Sequence, residues 1–208
     1  MKIQTNINNL KNYRIYLQVE KAVNEFLEKN NYLKVDLPVL SPALIPESYL
    51  EVFETEFTYF KKKKKLYLTP SPELFLKRLL VAGIGNCYYL GKAFRNSEPN
   101  SSWHSPEFTI VEFYKIGVNY LQLADEVLKL LQWIALATNN KTISFEKWEK
   151  YSVIQAFAKF AQISQKELFN PKEFIKKAKS KDYKIKNATY EDLFSQILAA
   201  EIEPNLGK

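Results

Sequence analysis

Two apolar segments joined by a polar loop constrain the fold of this chain more than any other feature. The segments read NCYYLGKAF and FTIVEFYKIG, and the region FRNSEPNSSWHSPEF between them has an arginine near its start and the only histidine of the chain near its end. Aromatic and β-branched residues bounded by polar turn residues are typical of strands. The sequence therefore predicts two neighbouring strands, Cys87–Phe94 and Phe108–Gly117, connected by this loop.

Helical patterns surround the pair of strands. Apolar residues at helical spacing and helix-start signals predict helices over residues 10–30, 71–83 and 120–137, with two more beginning near 170 and 189. Asn119 and Gln122 have the spacing of a capping box. Pro171 and Pro72 suit the first turn of a helix, where a missing amide N–H costs little.

The remaining segments predict further strands. LKVDLPVL, Leu33–Leu40, reads as a strand, and TEFTYF and KLYLT read as two strands on either side of Lys61–Lys65. We expect this lysine run to form a solvated turn that opposes edge pairing. Helices alternating with hairpins, rather than with regular βαβ units, favour an α+β fold with an antiparallel sheet flanked by helices. No break in composition separates domains, so one domain over 1–208 is expected.

Composition excludes some classes of protein. Of the 208 residues 46% are hydrophobic, which argues against disorder, and the lone cysteine, Cys87, reads as a buried small residue. The absence of a secretion signal and of a long apolar run predicts a cytoplasmic protein with no membrane partner. A net charge of +7 is compatible with a negatively charged partner such as tRNA, a nucleotide or an acidic protein. It is equally expected of a protein from an organism whose proteins are generally rich in lysine.

The second predicted strand places chemically useful side chains on one face. Phe108, Glu112 and Tyr114 share that face because side chains alternate along a strand, and Phe108 lies roughly 13 Å from Glu112. Arg95 and His104, at the two ends of the loop, fit phosphate oxygens. Together these residues predict a place for ATP whose far end accepts a cationic amine.

An ordinary hairpin is the alternative, with Arg95 in a surface ion pair, Glu112 exposed and Phe108 in the core. Other functional classes lose support from the sequence. There is no Gly-rich phosphate loop, no Cys/His spacing for zinc, and no nucleophile elbow or hydrolytic triad. No metal ligand is predicted within the chain.

Several segments, in order, resemble the class II aminoacyl-tRNA synthetases. The resemblance is strongest to the lysyl type and to its relatives that modify elongation factor P instead of charging tRNA. FLEKNNYLKVDLPVL is similar to motif 1, which builds a dimer interface, although Asn31 stands where the family usually has glycine. LTPSPELFLKRLLVAGIG resembles a substrate-contacting segment, and FRNSEPNSSWHSPEFTIVEFY resembles motif 2. EPNLGK resembles a segment of the elongation factor P branch.

The resemblance implies a role for each matching residue. In the ATP-binding part, Arg95 would hold the α-phosphate, His104 the outer phosphates, and Phe108 would stack on adenine. Glu98 would be the acid of the family's Arg-x-Glu, but the chain reads Arg-Asn-Ser-Glu, so Ser97 competes for that role. The residues implied to bind the lysine-like substrate are Glu112 and Tyr114 at its side-chain amine, and Glu73, with Ser71 beside it, at its α-amine.

The resemblance also implies cofactors and partners. These are ATP, Mg²⁺ with ligands in a later part of the family's chain, a homodimer partner, and elongation factor P as the acceptor of an activated lysine or β-lysine. The chain begins almost at motif 1, so no anticodon-binding domain is expected, and no Gly-rich motif 3 follows motif 2. Two alternatives stay open: a lysyl-tRNA synthetase core that charges tRNA, and a non-catalytic binding or dimerisation module.

Overall fold

The computed structural model describes residues 7–44, 50–96, 105–140, 145, 149–183 and 188–207. The chain forms two compact units, Met1–Phe145 and Glu146–Lys208. The expectation of one catalytic domain over 1–208 stays a prediction. Among the described residues, no helix is long and apolar enough to cross a membrane.

The first unit combines helices with two small sheets, which confirms the α+β prediction. Its elements are α1 (Ile7–Lys29), β1 (Leu33–Lys34), β2 (Leu40–Ser41), β3 (Glu54–Tyr59), β4 (Lys62–Leu68), α2 (Glu73–Val81), β5 (Cys87–Phe94), β6 (Glu107–Tyr114) and α3 (Tyr120–Ala137). The predicted capping box opens α3, since the Asn119 side chain accepts from the amide of Gln122. Strand β6 ends earlier than predicted, before a turn in which Gly117 has a φ of 75°.

One predicted strand, Leu33–Leu40, is wrong. Its two ends form separate strands in different sheets, because Pro38 between them cannot donate to a strand ladder. Strand β1 pairs in parallel with β5, and β2 pairs antiparallel with β4. The two sheets have the orders β1-β5-β6 and β2-β4-β3, and the long β5–β6 pairing is antiparallel as predicted.

The lysine run lies in a strand rather than in a turn. Only Phe60 and Lys61 separate β3 from β4, and Lys62–Lys65 belong to β4. Two of these lysines form ion pairs with glutamates of β3, Lys63 with Glu56 and Lys65 with Glu54. Opposite charges across a strand pair stabilise it, and the sequence reading overlooked this pairing.

Helices cover both faces of the β5–β6 hairpin. On one face, Tyr88 and Phe113 pack with the C-terminal half of α1 and with α3, in a core that includes Leu27 and Leu130. On the other face lie Cys87, Tyr89, Ile110 and Tyr114, which pack with Leu76 of α2 and with Val35. Cys87 is fully buried, as predicted. The α2 side of the hairpin is the face that the sequence analysis assigned to binding.

A buried ionic group holds the end of β6 to the helical layer. The carboxylate of Glu126, 8% exposed on α3, accepts from the hydroxyl of Tyr32 at 2.8 Å and forms an ion pair with Lys115. Both oxygens of the buried carboxylate are therefore satisfied, as burial of a charge requires. Burial and the Glu126 carboxylate raise the pKa of Tyr32.

The second unit is helical. It contains α4 (Val153–Ala161), α5 (Gln165–Leu168), α6 (Pro171–Ser180), α7 (Tyr190–Ile197), a π-helical turn (Leu198–Ile202) and a 3₁₀ turn (Glu203–Asn205). The predicted helices near 170 and 189 are α6 and α7. Phe157, Phe174 and Leu193 are fully buried in its core. Each α-helix of this unit begins at a residue whose side chain accepts from a backbone amide of the first turn; these residues are Ser152, Ser164, Asn170 and Thr189.

Candidate functional site

The centre of the site is the carboxylate of Glu112 on β6. Its Oε1 accepts from the Tyr114 hydroxyl at 2.9 Å, and its Oε2 accepts from the Ser71 hydroxyl at 3.0 Å. Glu112 and Tyr114 are both half-buried, whereas Ser71 is buried. Two neutral donors therefore fix the orientation of this carboxylate, while its negative charge has no cationic partner among these contacts.

The start of helix α2 carries a second carboxylate, that of Glu73, next to Ser71. The Ser71 hydroxyl accepts from the amide of Glu73 at 3.2 Å, which links the first turn of α2 to Glu112 through one side chain. The predicted helix start is thus real, although the residue at the cap position is Pro72. The Glu73 carboxylate forms an ion pair with Lys77 one turn later. A cationic ligand at Glu73 would compete with this partly exposed pair, which is a weak interaction.

The electrostatic environment of Tyr114 shows how negative this pocket is. Burial raises the pKa of the Tyr114 hydroxyl, and the hydrogen bond to Glu112 and the charges of Glu112 and Glu73 raise that pKa further. The phenol therefore keeps its proton and acts as a donor. Two carboxylates whose charges both act on one phenol favour a positively charged guest, because a nearby opposite charge stabilises ionised carboxylates.

The other end of the same face carries Arg95 and Phe108. The guanidinium carbon of Arg95 lies 5.2 Å from the centroid of the Phe108 ring, a cation–π geometry. The Nε of Arg95 donates to the carbonyl of Pro70 at 3.4 Å, and its backbone amide donates to the carbonyl of Pro106 at 3.0 Å. The loop ends thus hold a planar cation beside a half-buried aromatic ring. This donor set fits a nucleotide, whose base stacks on rings and whose phosphates bind guanidinium groups.

Strand register sets the distance between the two ends. Phe108 lies opposite Ala93, and Glu112 lies opposite Tyr89, in an unbroken antiparallel ladder. Phe108 and Glu112 are four positions apart, which corresponds to about 13 Å along the strand. The ordinary-hairpin alternative placed Glu112 in solvent and Phe108 in the core, and neither placement is found, since both side chains are half-buried.

Part of the predicted site lies outside the described residues. Glu98, its competitor Ser97, and His104 belong to the segments 97–104 that the structure does not describe, so their placement stays a prediction. Within the described ranges, no three His, Cys, Asp or Glu side chains lie close enough together to hold a metal ion.

The sequence analysis missed Tyr89 and Gly91 on this face. The ring of Tyr89, which is 6% exposed, lies over Gly91, so that a Cβ at Gly91 would collide with the phenol. The Tyr89 hydroxyl donates to the carbonyl of Lys92 at 3.1 Å. A glycine inside a strand is a signal of close approach, and it could have indicated this contact. The folded-back ring fills the sheet surface beside Glu112.

Comparison with known proteins identifies the family to which the chain belongs. The family model described as tRNA synthetases class II (D, K and N) matches residues 1–194. The chain belongs to this family. A solved structure of a class II synthetase, asparaginyl-tRNA synthetase from Pyrococcus horikoshii complexed with asparaginyl-adenylate, matches with a TM-score of 0.52 and 19% identity. The match covers 62% of this chain and 28% of that structure's chain, and it supports the fold.

Three curated proteins similar to this chain are named elongation factor P–(R)-β-lysine ligase. The protein from Vibrio cholerae is 40% identical over 129 residues, which are 61% of this chain and 40% of the relative. The match to the Haemophilus influenzae protein has 30% identity over 202 residues, which are 96% of this chain and 59% of the relative. The Buchnera aphidicola protein is 32% identical over 199 residues, 89% of this chain and 56% of the relative. The chain thus spans about half the length of the curated relatives that it matches.

Proposed function

We propose that this chain forms the nucleotide- and amino-acid-binding part of an ATP-dependent ligase. The ligase activates lysine or β-lysine as an aminoacyl-adenylate and transfers the aminoacyl group to a lysine of elongation factor P. The observation that carries the proposal is the oriented carboxylate of Glu112, held by Ser71 and Tyr114 at the far end of a face that begins with Arg95 and Phe108. The names of these relatives support the proposed substrate and acceptor.

Recognition of the amino acid follows from the charges in the pocket. The side-chain ammonium of the substrate would bind the Glu112 carboxylate and displace no existing cation from it, since its described partners are hydroxyl donors. A hydrogen bond between charged groups contributes about 1.5–3 kcal/mol. Glu73 would bind the α-amine in exchange for its ion pair with Lys77. This arrangement would select an amino acid with two amino groups over one with an uncharged side chain.

Activation of the carboxylate requires positioning more than covalent help. ATP as a substrate supplies the α-phosphorus that the amino acid's carboxylate attacks, and pyrophosphate leaves. Arg95 would neutralise charge on the α-phosphate, and Phe108 would hold the adenine ring. Glu98 and His104 are proposed for the same nucleotide. No covalent intermediate with the protein is needed, because binding of the adenine and of the side-chain ammonium at the two ends of one strand face would bring the carboxylate and the α-phosphate together between them.

We also propose a homodimer, and a cytoplasmic location. The N-terminal half of α1 supports the dimer, since Leu10, Tyr13 and Leu17 share a helical face and are 51%, 58% and 43% exposed. Further along the same helix Val23 and Phe26 are buried within the unit, whereas these three residues are not. A second copy would cover them.

The test is a set of incubations with ATP and each amino acid. ATP–pyrophosphate exchange is measured with lysine, (R)-β-lysine and, as a neutral comparison, leucine. Transfer of labelled amino acid is then measured to elongation factor P and to tRNA. We expect exchange with a lysine isomer and label on elongation factor P. Label on tRNA alone would support the second acceptor, which the matched family of tRNA synthetases favours. Absence of exchange with either lysine isomer would contradict the proposal.

A further inference from the structure

The β3–β4 hairpin has two chemically different faces. On one face its own glutamates neutralise its lysines, with Lys63 Nζ 2.8 Å from Glu56 Oε1 and Lys65 Nζ 2.6 Å from Glu54 Oε1. All four side chains of these two pairs are at least half exposed. This face is therefore a self-satisfied, solvated surface with little charge left for a partner.

The opposite face carries lysines beside aromatic rings. The ladder sets Tyr59 across from Lys62, and Phe57 across from Lys64. Phe57 is 54% exposed and Tyr59 is 62% exposed. Within the part of the chain that the structure describes, Lys62 and Lys64 form no ion pair, and both are exposed. Unpaired ammonium groups next to exposed rings are available to a ligand.

The hairpin turn contains Phe60, an exposed aromatic residue in a backbone conformation that is unfavourable for its side chain. Phe60 has a φ of 51° and is 84% exposed, and its ring lies 4.6 Å from that of Tyr59 in an edge-to-face arrangement. The left-handed conformation is strained for a bulky side chain and is typical of glycine or asparagine in such turns. A strained, solvated aromatic residue at a hairpin tip indicates a role outside the fold.

The hairpin is directly attached to the candidate site. Strand β4 continues through Thr69 and Pro70 to Ser71, and the carbonyl of Thr69 accepts from the amide of Phe94 at 3.0 Å. From Leu68 to Lys62 the strand extends about 20 Å. The hairpin therefore projects from the part of the site that holds Arg95.

We propose that this aromatic–lysine face, formed by Phe57, Tyr59, Phe60, Lys62 and Lys64, docks an acidic surface of the protein that accepts the aminoacyl group. The inference rests on the proposed function, which places a protein acceptor at the site. A protein is favoured over RNA because RNA binding gains its affinity from many phosphate contacts, whereas this face offers few ammonium groups.

Two pairs of substitutions test the docking face. Lys62→Gln/Lys64→Gln removes the unpaired charges, and Lys63→Gln/Lys65→Gln removes the same number of charges from the other face. Binding of the full chain to fluorescently labelled elongation factor P is measured by anisotropy at low and high salt. We expect the first pair to weaken binding about tenfold and to reduce its salt dependence, as loss of complementary charges does. The second pair should change binding less than about twofold.

A third variant separates docking from stability. Phe60→Asn places a residue that tolerates the left-handed conformation in the turn. The thermal unfolding temperature should stay the same or rise, while affinity for elongation factor P should fall several-fold. Weaker binding together with a lower unfolding temperature would contradict the inference, and so would unchanged binding.

The inference and the proposed function fail in different ways. Equal effects of the two lysine pairs on binding to elongation factor P would overturn the docking face and leave the acceptor intact. A single-stranded oligonucleotide whose binding depends on Lys62 and Lys64, when binding of elongation factor P does not, would assign the face to nucleic acid and overturn the proposal. If amino-acid activation is measured but the unaltered chain does not bind elongation factor P, both the acceptor and the docking face are wrong.

Discussion

At the scale of single residues, the chemistry depends on the carboxylate of Glu112, which is oriented by two hydroxyl donors and has no cationic partner among its described contacts. Ser71 and Tyr114 donate to the two oxygens of Glu112 from different elements, one before α2 and one on β6. A free carboxylate on an exposed strand would rotate and be solvated. The fixed orientation lets Glu112 meet an ammonium group without first losing side-chain freedom.

Glu112→Gln should remove the charge with almost no change of shape. We expect the affinity for lysine or β-lysine, measured by isothermal titration calorimetry, to fall about 10- to 100-fold, because a charged hydrogen bond contributes about 1.5–3 kcal/mol. Glu107→Gln is the matched control, since Glu107 lies on the same strand but on the other face, in an ion pair with Lys92. An equal loss of affinity in both variants would contradict the assigned pocket.

The contact between Tyr89 and Gly91 gives a second prediction at this scale. Gly91→Ala should lower the free energy of unfolding by about 1–3 kcal/mol, because the added methyl group meets the buried Tyr89 ring. In a Tyr89→Ala background the same change should cost little, and chemical denaturation of the four variants measures the difference. An equal cost in both backgrounds would show that the ring is not what restricts position 91.

Single residues also show what a sequence can and cannot reveal. Asn31 replaces a glycine of the family pattern, and it takes a φ of 63°, a conformation that asparagine tolerates. The shared face of Glu112 and Tyr114 followed from strand alternation alone. The hydrogen bond from Ser71 to Glu112 could not be foreseen, because it joins residues 41 positions apart through tertiary packing.

At the scale of elements, local signals performed best. The bounds of α3 and β5 agree with the sequence prediction, since a capping box and a run of strand-forming residues mark them. The strand predicted over Leu33–Leu40 is interrupted at Pro38, and its two ends pair with strands of different sheets, which local preference does not reveal. The prediction that the lysine run forms a turn was wrong for a similar reason, since the glutamates that neutralise Lys63 and Lys65 lie on another strand.

The helix starts of the second unit predict a dependence of its stability on pH. Hydrogen bonds from Ser164 hold the pKa of Glu167 below its ordinary value of 4.5, and those from Thr189 hold the pKa of Asp192 below 3.8. A lowered folded-state pKa stabilises the fold above the unfolded-state pKa, and this stability is lost as the pH falls through the folded-state value.

We therefore expect the thermal unfolding temperature of the second unit to fall as the pH drops from about 5 towards 2. Far-ultraviolet circular dichroism of the full chain, recorded at each pH, measures it. Replacement of both acids, Glu167→Gln and Asp192→Asn, should flatten this part of the profile, since neither amide titrates there. An unchanged slope in the double variant would show that other carboxylates control the acid transition.

At the scale of the whole molecule, the chain holds apolar surface that its first unit does not cover. The exposed stripe of α1 begins with Leu10 and ends near Leu17, just before the helix becomes buried against β5 and α3. Exposed apolar residues in a row are typical of an interface between subunits. The family resemblance implied a dimer through motif 1 at Phe26–Leu40, and the exposed stripe on the same helix supports the proposal of a dimer.

Leu17→Glu should convert a dimer into a monomer, because a carboxylate in the centre of an apolar interface is left without a partner. Sedimentation velocity at several concentrations measures the change of mass. Lys11→Glu, which places the same side chain on another face of α1, is the control and should leave the dimer in place. A monomer for the unaltered chain at all concentrations would contradict the proposed assembly.

The most direct test of the whole account is a crystal structure of the chain with a stable analogue of lysyl-adenylate. We predict that the adenine lies on the Phe108 ring, that the phosphate mimic contacts Arg95, and that the side-chain ammonium lies within hydrogen-bonding distance of Glu112. A ligand bound away from this strand face, or bound in the reverse direction with its ammonium at Phe108, would contradict the central claim.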